Sequence, residues 1–262
     1  MSKAKGFVLV FLILGLAAGG YFLLRTRPGP PPAEDAMTGV VLFGYDPDGN
    51  PSWRVEAKEG KMERDKGELK DVTLTLYEAG DPRLTVSAPG LSFDGDRARF
   101  TGGVTVLLDG EDRLITDEIA WTRDTGALSG GKVEIVSSAG RIAAEGFSYD
   151  PKAGRLSLDG GVRAELSDPE KISAIGDVAE YDSGRMTISG DVQITAPGET
   201  YRCKAARYDS RTVLLSGGVK GKIENGTLAA DEVRVDDEGV TASGGVHLSL
   251  KLGFFGRIGN GA

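Results

Sequence analysis

The sequence predicts an all-β protein: an elongated stack of two-stranded repeats carried behind one N-terminal transmembrane helix. Two observations carry the β assignment. A glycine step recurs six times at nearly constant spacing, and the apolar residues around it alternate with period two. A third, an uncharged apolar run close to the N-terminus, carries the helix.

Taken in chain order, the apolar run comes first. Gly6 to Leu24 (GFVLVFLILGLAAGGYFLL) holds 19 residues without a charge. At 1.5 Å per residue such a helix spans roughly 28 Å, close to the thickness of a bilayer's hydrocarbon core. Residues 1–27 are therefore read as a retained anchor. Ala17-Ala18-Gly19-Gly20 is small enough for a signal-peptide cleavage site, but the apolar run continues past it to Leu24. Lys3 and Lys5 before the run balance Arg25 and Arg27 after it. Orientation then follows from the short head and the large acidic body, which is exported. Residues 28–37 form a Pro-rich spacer, extended rather than folded.

Residues 38–252 form one continuous body, followed by a short glycine-rich tail at 253–262. Six segments of the body share the step: FTGGVTVLL, LSGGKVEIV, LDGGVRAEL, ISGDVQIT, LSGGVKGKI and ASGGVHLSL. The second residue of the step is Gly103, Gly131, Gly161, Asp191, Gly218 and Gly245, a repeat of 27 to 30 residues. Leu156 and Leu158 precede one step and Val162, Ala164 and Leu166 follow it, all in one parity. Period two puts them on one face of a strand, and the glycines mark a bend within it. The other face carries Arg163 and Glu165, Gln193 and Thr195, Lys220 and Lys222, or His247 and Ser249, and is read as wet.

A second stretch completes each repeat, with the pattern apolar-x-small-x-x-apolar-x-aromatic. VSAPGLSFD, LITDEIAW, IAAEGFSYD, YRCKAARYD and LAADEVRVD are five copies. ISAIGDVAEYD is a sixth, longer by two residues. Apolar parity slips after the small residue, as a β-bulge in this stretch would make it. SWRVEAKEGKM and LKDVTLTLY read as divergent copies, preceded by a strand ending in the turn Asp46-Pro47-Asp48-Gly49.

Composition removes several functions. All 39 acidic residues follow Pro32, and no basic stripe interrupts them, which excludes nucleic acid as a partner. One cysteine, Cys203, and one histidine, His247, cannot make an intramolecular disulfide or a Cys/His zinc site. Cys203 occupies the small position held elsewhere by Ala88, Thr116, Ala144 and Ala230, so it reads as a packing residue. His247 falls on the polar face. The glycine steps lack the strand-to-helix context of a phosphate loop. No catalytic residue, metal or cofactor is expected.

The apolar stripe remains. Stacked strands bent at glycine give two sheets in a V. If that V closes incompletely, it is a groove for acyl chains, each buried methylene contributing about 0.8 kcal/mol. The expected lining is Val104, Val106, Val133, Ile135, Val162, Val192, Ile194, Val219, Val246 and Leu248. Phe93, Trp121, Phe147, Tyr149, Tyr181 and Tyr208 add to it from the paired strands.

At AAEGFSYDPKAGRLSLDGGVRAEL the sequence resembles the OstA-like domain of lipopolysaccharide-transport proteins, and the likeness spans nearly the whole chain. One anchor, a strand and then YDPDGNPSWRVEA make the N-terminal half similar to the LptC family in particular. The resemblance implies an open β-jellyroll in the periplasm, tethered to the inner membrane by a single pass. It implies a non-enzymatic carrier that accepts lipopolysaccharide from the permease subunits of an inner-membrane ABC transporter. The lipid would then pass toward the outer membrane, to an LptA-like bridge or an outer-membrane receptor. The chain departs from that family in carrying roughly two further repeats.

An open last strand, Gly239 to Leu252, would offer unpaired backbone groups to such a partner. Two other classes compete: a glycan-binding or glycan-active β-helix, and a structural envelope scaffold that seals the same stripe. A β-helix uses three short strands per coil, whereas each repeat here holds two longer stretches. An open apolar cleft marks transfer, a sealed core a scaffold, and a carboxylate-lined groove an enzyme.

Overall fold

The computed structural model describes residues 37–250, leaving out 46–48, 64–65, 79, 109–111, 123, 139, 151–152, 167–170, 183–184, 210–211 and 237–238. The expected anchor, residues 28–36 of the spacer and the tail lie outside the described residues. Among those described, no helix is long and apolar enough to cross a membrane.

Every regular element among the described residues is a strand. The first six are β1 (Met37–Tyr45), β2 (Pro51–Glu63), β3 (Lys66–Glu78), β4 (Asp81–Asp94), β5 (Arg97–Leu108) and β6 (Arg113–Thr122). The next eight are short: β7 (Leu128–Gly130), β8 (Val133–Ser137), β9 (Gly140–Ala144), β10 (Gly146–Asp150), β11 (Arg155–Asp159), β12 (Val162–Leu166), β13 (Ile172–Gly176) and β14 (Val178–Asp182). Long strands resume with β15 (Arg185–Ala196), β16 (Glu199–Asp209), β17 (Thr212–Ile223) and β18 (Gly226–Asp236), before β19 (Gly239–Ser243) and β20 (His247–Leu250).

The pairing explains the lengths. β5 pairs with β6 along both halves, but β6 continues onto β7 with one half and β8 with the other. β7 and β8 are thus the two halves of one bent strand. The same holds for β9 with β10, β11 with β12, β13 with β14, and β19 with β20. All the strands form one antiparallel sheet in meander order, folded along a line of bends. One arm carries the aromatic stretches and is called the aromatic arm. The other, lined by Val106, Leu114, Ile135 and Ile142 in direct register, is the aliphatic arm. The inner faces of both arms join in a single apolar cluster.

The bend is a two-against-one bulge. Between β15 and β16, Ser189 faces Ala205 and Val192 faces Cys203, so Gly190 and Asp191 oppose Lys204 alone. Gly217 and Gly218 oppose Lys204 and Asp231 in the same way. The sequence reading puts the bulge in the aromatic stretch; the extra residue instead sits on the glycine strand. The reason is conformational. Gly102, Gly160, Gly190, Gly217 and Gly244 all have positive φ, which a side chain resists. The parity slip in the partner is the same bulge seen from the side with one residue fewer.

The first glycine of the step is the more constrained. A Cβ on Gly160 would lie 2.7 Å from Cβ of Glu145, and one on Gly217 2.6 Å from Cβ of Lys204. The second position meets nothing within 4 Å at Gly103, Gly161 and Gly218 but is also at positive φ there; Asp191 occupies it on a strand where that position is not at positive φ. The copy LSGGKVEIV is different. Equal lengths of β6 and β7–β8 separate their paired residues, so that strand carries no extra residue, and neither Gly130 nor Gly131 has positive φ.

At the apex of the V, valine alternates with a small residue from strand to strand. Val72 faces Ala57 and Ala88; Val104 faces Thr116; Val133 faces Thr116 and Ala144; Val162 faces Gly176; Val192 faces Cys203; Val219 faces Ala230. The small residue leaves room for the branched one where the arms converge. Cys203 is buried at this level, as its alignment predicts, and its Sγ donates to the carbonyl of Ala205 at 3.3 Å. Thr116 Oγ1 donates to the carbonyl of Glu118 at 3.2 Å. Both bonds span the bend residue, so a polar atom is tolerated here because it reaches a carbonyl beside the bulge. Burial pushes the Cys203 thiol up, which keeps it protonated and unreactive.

Two glycine dipeptides that look alike therefore have different requirements. Gly160→Ala is expected to lower stability by about 2 kcal/mol, from the positive φ and the close Glu145. Gly131→Ala is expected to stay within ~0.5 kcal/mol, since the site is open and the backbone ordinary. Urea unfolding of both variants, followed by circular dichroism, checks the difference.

Candidate functional site

The candidate site is the interior of the V. On the aliphatic arm, Val104, Val106, Val133, Ile135, Val162, Val192 and Val219 point inward and are buried. On the aromatic arm, Trp121, Phe147, Tyr149 and Tyr181 are buried against them. Phe93 and Ile194 are half-buried and pack on the same cluster. Tyr208, Val246 and Leu248 lie outside that cluster and are exposed by 51%, 48% and 57%. Arg163 and Gln193 project from the opposite face, Arg163 exposed and Gln193 half-buried. From β2 to β15 the protein's own side chains fill the V.

The two lips of the V differ in chemistry. Along the mouth of the aromatic arm, direct cross-strand partners run Ala98, Trp121, Leu128, Tyr149, Leu156, Tyr181, Met186, Tyr208 and Val213. An aromatic ring thus stands on every second strand. Trp and Tyr bury an apolar body while presenting a polar tip, which suits a boundary between fat and water. Trp121 Nε1 and Tyr149 Oη are buried and have no hydrogen-bond partner among the described residues. A buried donor left unpaired costs stability, so the pair is poised for an acceptor on a ligand. The facing row, Ile135, Ile142, Ala164, Ala174, Ile194 and Tyr201, has one polar tip.

That tip belongs to Tyr201, which the sequence reading did not select. Its Oη donates to Glu199 Oε2 at 2.8 Å. Burial first, then the hydrogen bond and charge of Glu199, push its phenol up to about 12. Burial also raises Tyr149 and Tyr181. Other missed lining residues are Leu114, Ile119, Leu158, Leu215 and Val233, all buried in the same cluster. Parity could have found the first four, since each lies two or four positions from a selected residue or pairs directly with one; Val233 pairs directly with Leu215.

The V changes character at its C-terminal end. On β19 and β20 the inward positions Val240, Leu248 and Leu250 are exposed by 58%, 57% and 52%, with Val246 beside them. Among the described residues these two strands pair only with β18, so no further strand covers their apolar side chains. The interior is buried along most of its length and comes to the surface here.

An apolar interior running through a bent meander sheet, reaching the surface at one end and framed by amphipathic aromatics, defines an all-β, jellyroll-like fold. Among the described residues no group of three or more His, Cys, Asp or Glu could hold a metal ion. Residues 32–167 match the family model described as lipopolysaccharide-assembly, LptC-related, and the chain belongs to that family. The match stops at Ser167, whereas the sheet runs on through β13 to β20 with the same bend. Among solved structures, the chain is similar to LptH, the LptA-homologous periplasmic component of the lipopolysaccharide transport device of Pseudomonas aeruginosa. The identity is 16% over 37% of this chain and 75% of that one, with a TM-score of 0.34. Comparison with curated proteins gives no match.

The raised phenol fixes the sign of one pH effect. Folding favours neutral Tyr201, so its contribution is complete below pH 10 and is lost as pH rises through about 12. Tyr201→Phe should remove that part of the alkaline loss while leaving stability at pH 8 nearly unchanged. Thermal melts between pH 8 and 12, for both proteins, read it out.

Proposed function

We propose that this protein carries lipopolysaccharide through the periplasm from an inner-membrane ABC transporter toward the outer membrane, with acyl chains against the inner face of the V. One observation supports this above others: the buried apolar rows emerge, still in register, as exposed side chains on the last two strands. A scaffold has no need of an uncovered apolar end, and soluble surfaces rarely keep one without a partner. Membership in the LptC-related family supports the cargo. The proposed lining comprises the sixteen residues expected from sequence together with Tyr201 and Leu228. Trp121 and Tyr149 supply donors suited to the ester and amide oxygens that join acyl chains to sugar. The interior between β2 and β15 is filled, so loading there requires the lips to part.

The carrier is anchored by residues 1–27 in the inner membrane, with residues 38–252 in the periplasm. The permease subunits deliver lipid near the N-terminal strands. Lipid leaves at the C-terminal edge. There an LptA-like bridge, the outer-membrane receptor or a second copy adds its own strand, so that the two interiors join.

A photoreactive side chain at Leu248, in live cells, is expected to capture lipopolysaccharide or the next jellyroll, and one at Arg163, on the outer face of β12, to capture neither. Equal capture at both positions would remove the inner face as the path. Separately, the double variant Val246→Pro and Leu248→Pro should lose partner binding at least tenfold while the preceding repeats stay folded, because repeat stability is local. Unchanged affinity in the folded double variant would place docking elsewhere.

A further inference from the structure

The outer face of the same four C-terminal strands carries a feature that lipid carriage through the V does not use. On the aliphatic arm, Gln193, Arg202, Lys220, Ala229 and His247 are successive cross-strand partners on β15, β16, β17, β18 and β20. One level further from the bend, Thr200, Lys222, Thr227 and Ser249 form a second such row. All of these residues but Gln193 line a hollow of about 820 Å³, together with Gly221, Leu228 and Leu248.

Elsewhere on this sheet several cations pair with an acid on a neighbouring strand. Lys66 pairs with its direct cross-strand partner Asp94 at 3.1 Å, Lys70 with Glu59 at 3.2 Å, and Arg185 with Asp209 at 3.4 Å. Arg99 and Arg141 also reach acids, Glu118 and Glu134, on neighbouring strands. In the hollow, by contrast, Arg202 stands directly opposite Lys220, with Lys222 two residues along. Like charges so placed repel and destabilise the pair of strands. No carboxylate among the described residues forms an ion pair with any of the three. Arg202 Nε donates instead to Gln193 Oε1, at 3.2 Å. In a chain of net charge −8, three uncompensated cations in one concavity are a departure that calls for an anion.

We infer that the hollow formed by Arg202, Lys220 and Lys222 on the outer face of β16, β17, β18 and β20 binds the phosphate groups of an anionic saccharide. A planar guanidinium matches phosphate oxygens two at a time, and the lysines add compact charge. The hydroxyls of Thr200, Thr227 and Ser249 face the same space and suit sugar oxygens, which a bare ion does not need. A concave surface that sets three hydroxyls beside a mostly apolar floor fits a saccharide, whose rings present both C–H and O–H faces, better than a flat membrane. Position favours a headgroup. Leu228 and Leu248 are exposed or half-buried on the inner side of the strands whose outer side holds the cations, so only one sheet thickness separates acyl contacts from the hollow. A lipid lying over the free β20 edge would reach both. The inference rests on the proposed lipid carriage for its ligand class.

The test titrates full-length protein in a neutral detergent with a deacylated glucosamine disaccharide bearing two phosphates, by calorimetry and by Tm shift. Binding is expected to weaken with added salt, and to fall at least tenfold in Arg202→Gln/Lys220→Gln and in Lys222→Gln. Neutralising Lys220 relieves a like-charge pair, so the unliganded variants should melt no lower than the parent. A lower melting point would make the cluster a structural device and overturn the assignment. Unchanged disaccharide affinity in the variants would overturn it too, as would inorganic phosphate binding as tightly as the disaccharide. Phosphatidylglycerol vesicles or polyglutamate binding in place of the sugar, and released by the same variants, would reassign the hollow to a membrane or an acidic protein. If lipid capture at Leu248 persists while the disaccharide fails to bind, the hollow alone is refuted and lipid carriage stands.

Discussion

Everything in this sheet depends on the extra residue that most glycine strands carry at the bend. A strand crossing from one arm to the other must turn sharply and still aim its apolar side chains inward on both sides. With period-two geometry, one surplus residue at positive φ accomplishes both: it rotates the chain and restores the inward parity. The partner strand, one residue shorter there, must then slip its own apolar pattern. Ile188 and Val192 keep step across Gly190, while Cys203 and Ala206 fall out of step across Lys204, and all four are buried. The two kinds of stretch in each repeat are two sides of one geometric requirement.

The same requirement shapes the core. Where the arms converge, valine against Ala, Gly, Thr or Cys is the packing that fits; where they diverge, rings of Tyr, Trp and Phe span the wider gap. Volume therefore grows from apex to mouth. Polar atoms follow a matching gradient. Near the apex, Thr116 and Cys203 satisfy themselves on backbone beside the bulge. At the mouth, Trp121 and Tyr149 hold donors with no partner among the described residues. The interior is thus most self-sufficient where it is narrow and least so where an occupant would enter.

Much of this was legible in the sequence, because a repeat states the same constraint several times. Strand faces, the bend at glycine and the small position of Cys203 all followed from comparing copies. What was not legible was what a single copy cannot report. The surplus residue could not be assigned to one strand of a pair without knowing the register, and LSGGKVEIV concealed its lack of a bulge behind an unaltered Gly-Gly. Asp71, the single non-glycine residue described at positive φ, stands at a bend where no glycine step announces one. The sequence reading also took the apolar stripe as uniform. Burial of Val162 and exposure of Leu248 differ because one strand has neighbours on both sides and the other on one. That is a property of position in the stack, and identical motifs cannot encode it. Arg202 escaped notice for a related reason: its meaning comes from Lys220 across the ladder.

Meander order also makes the molecule a ruler. Each bent strand touches only those before and after it, so adding a hairpin lengthens the stack without altering the rest. Strands in a sheet lie about 4.8 Å apart, which makes the increment roughly 10 Å per hairpin. From β1 to β19 and β20 the sheet counts fifteen bent or straight levels, a reach of roughly 65–70 Å at that spacing. Six of the fifteen levels, about two-fifths of it, lie beyond Ser167. Distance across a compartment, in a protein built this way, is set by how many times one short passage of sequence has been copied.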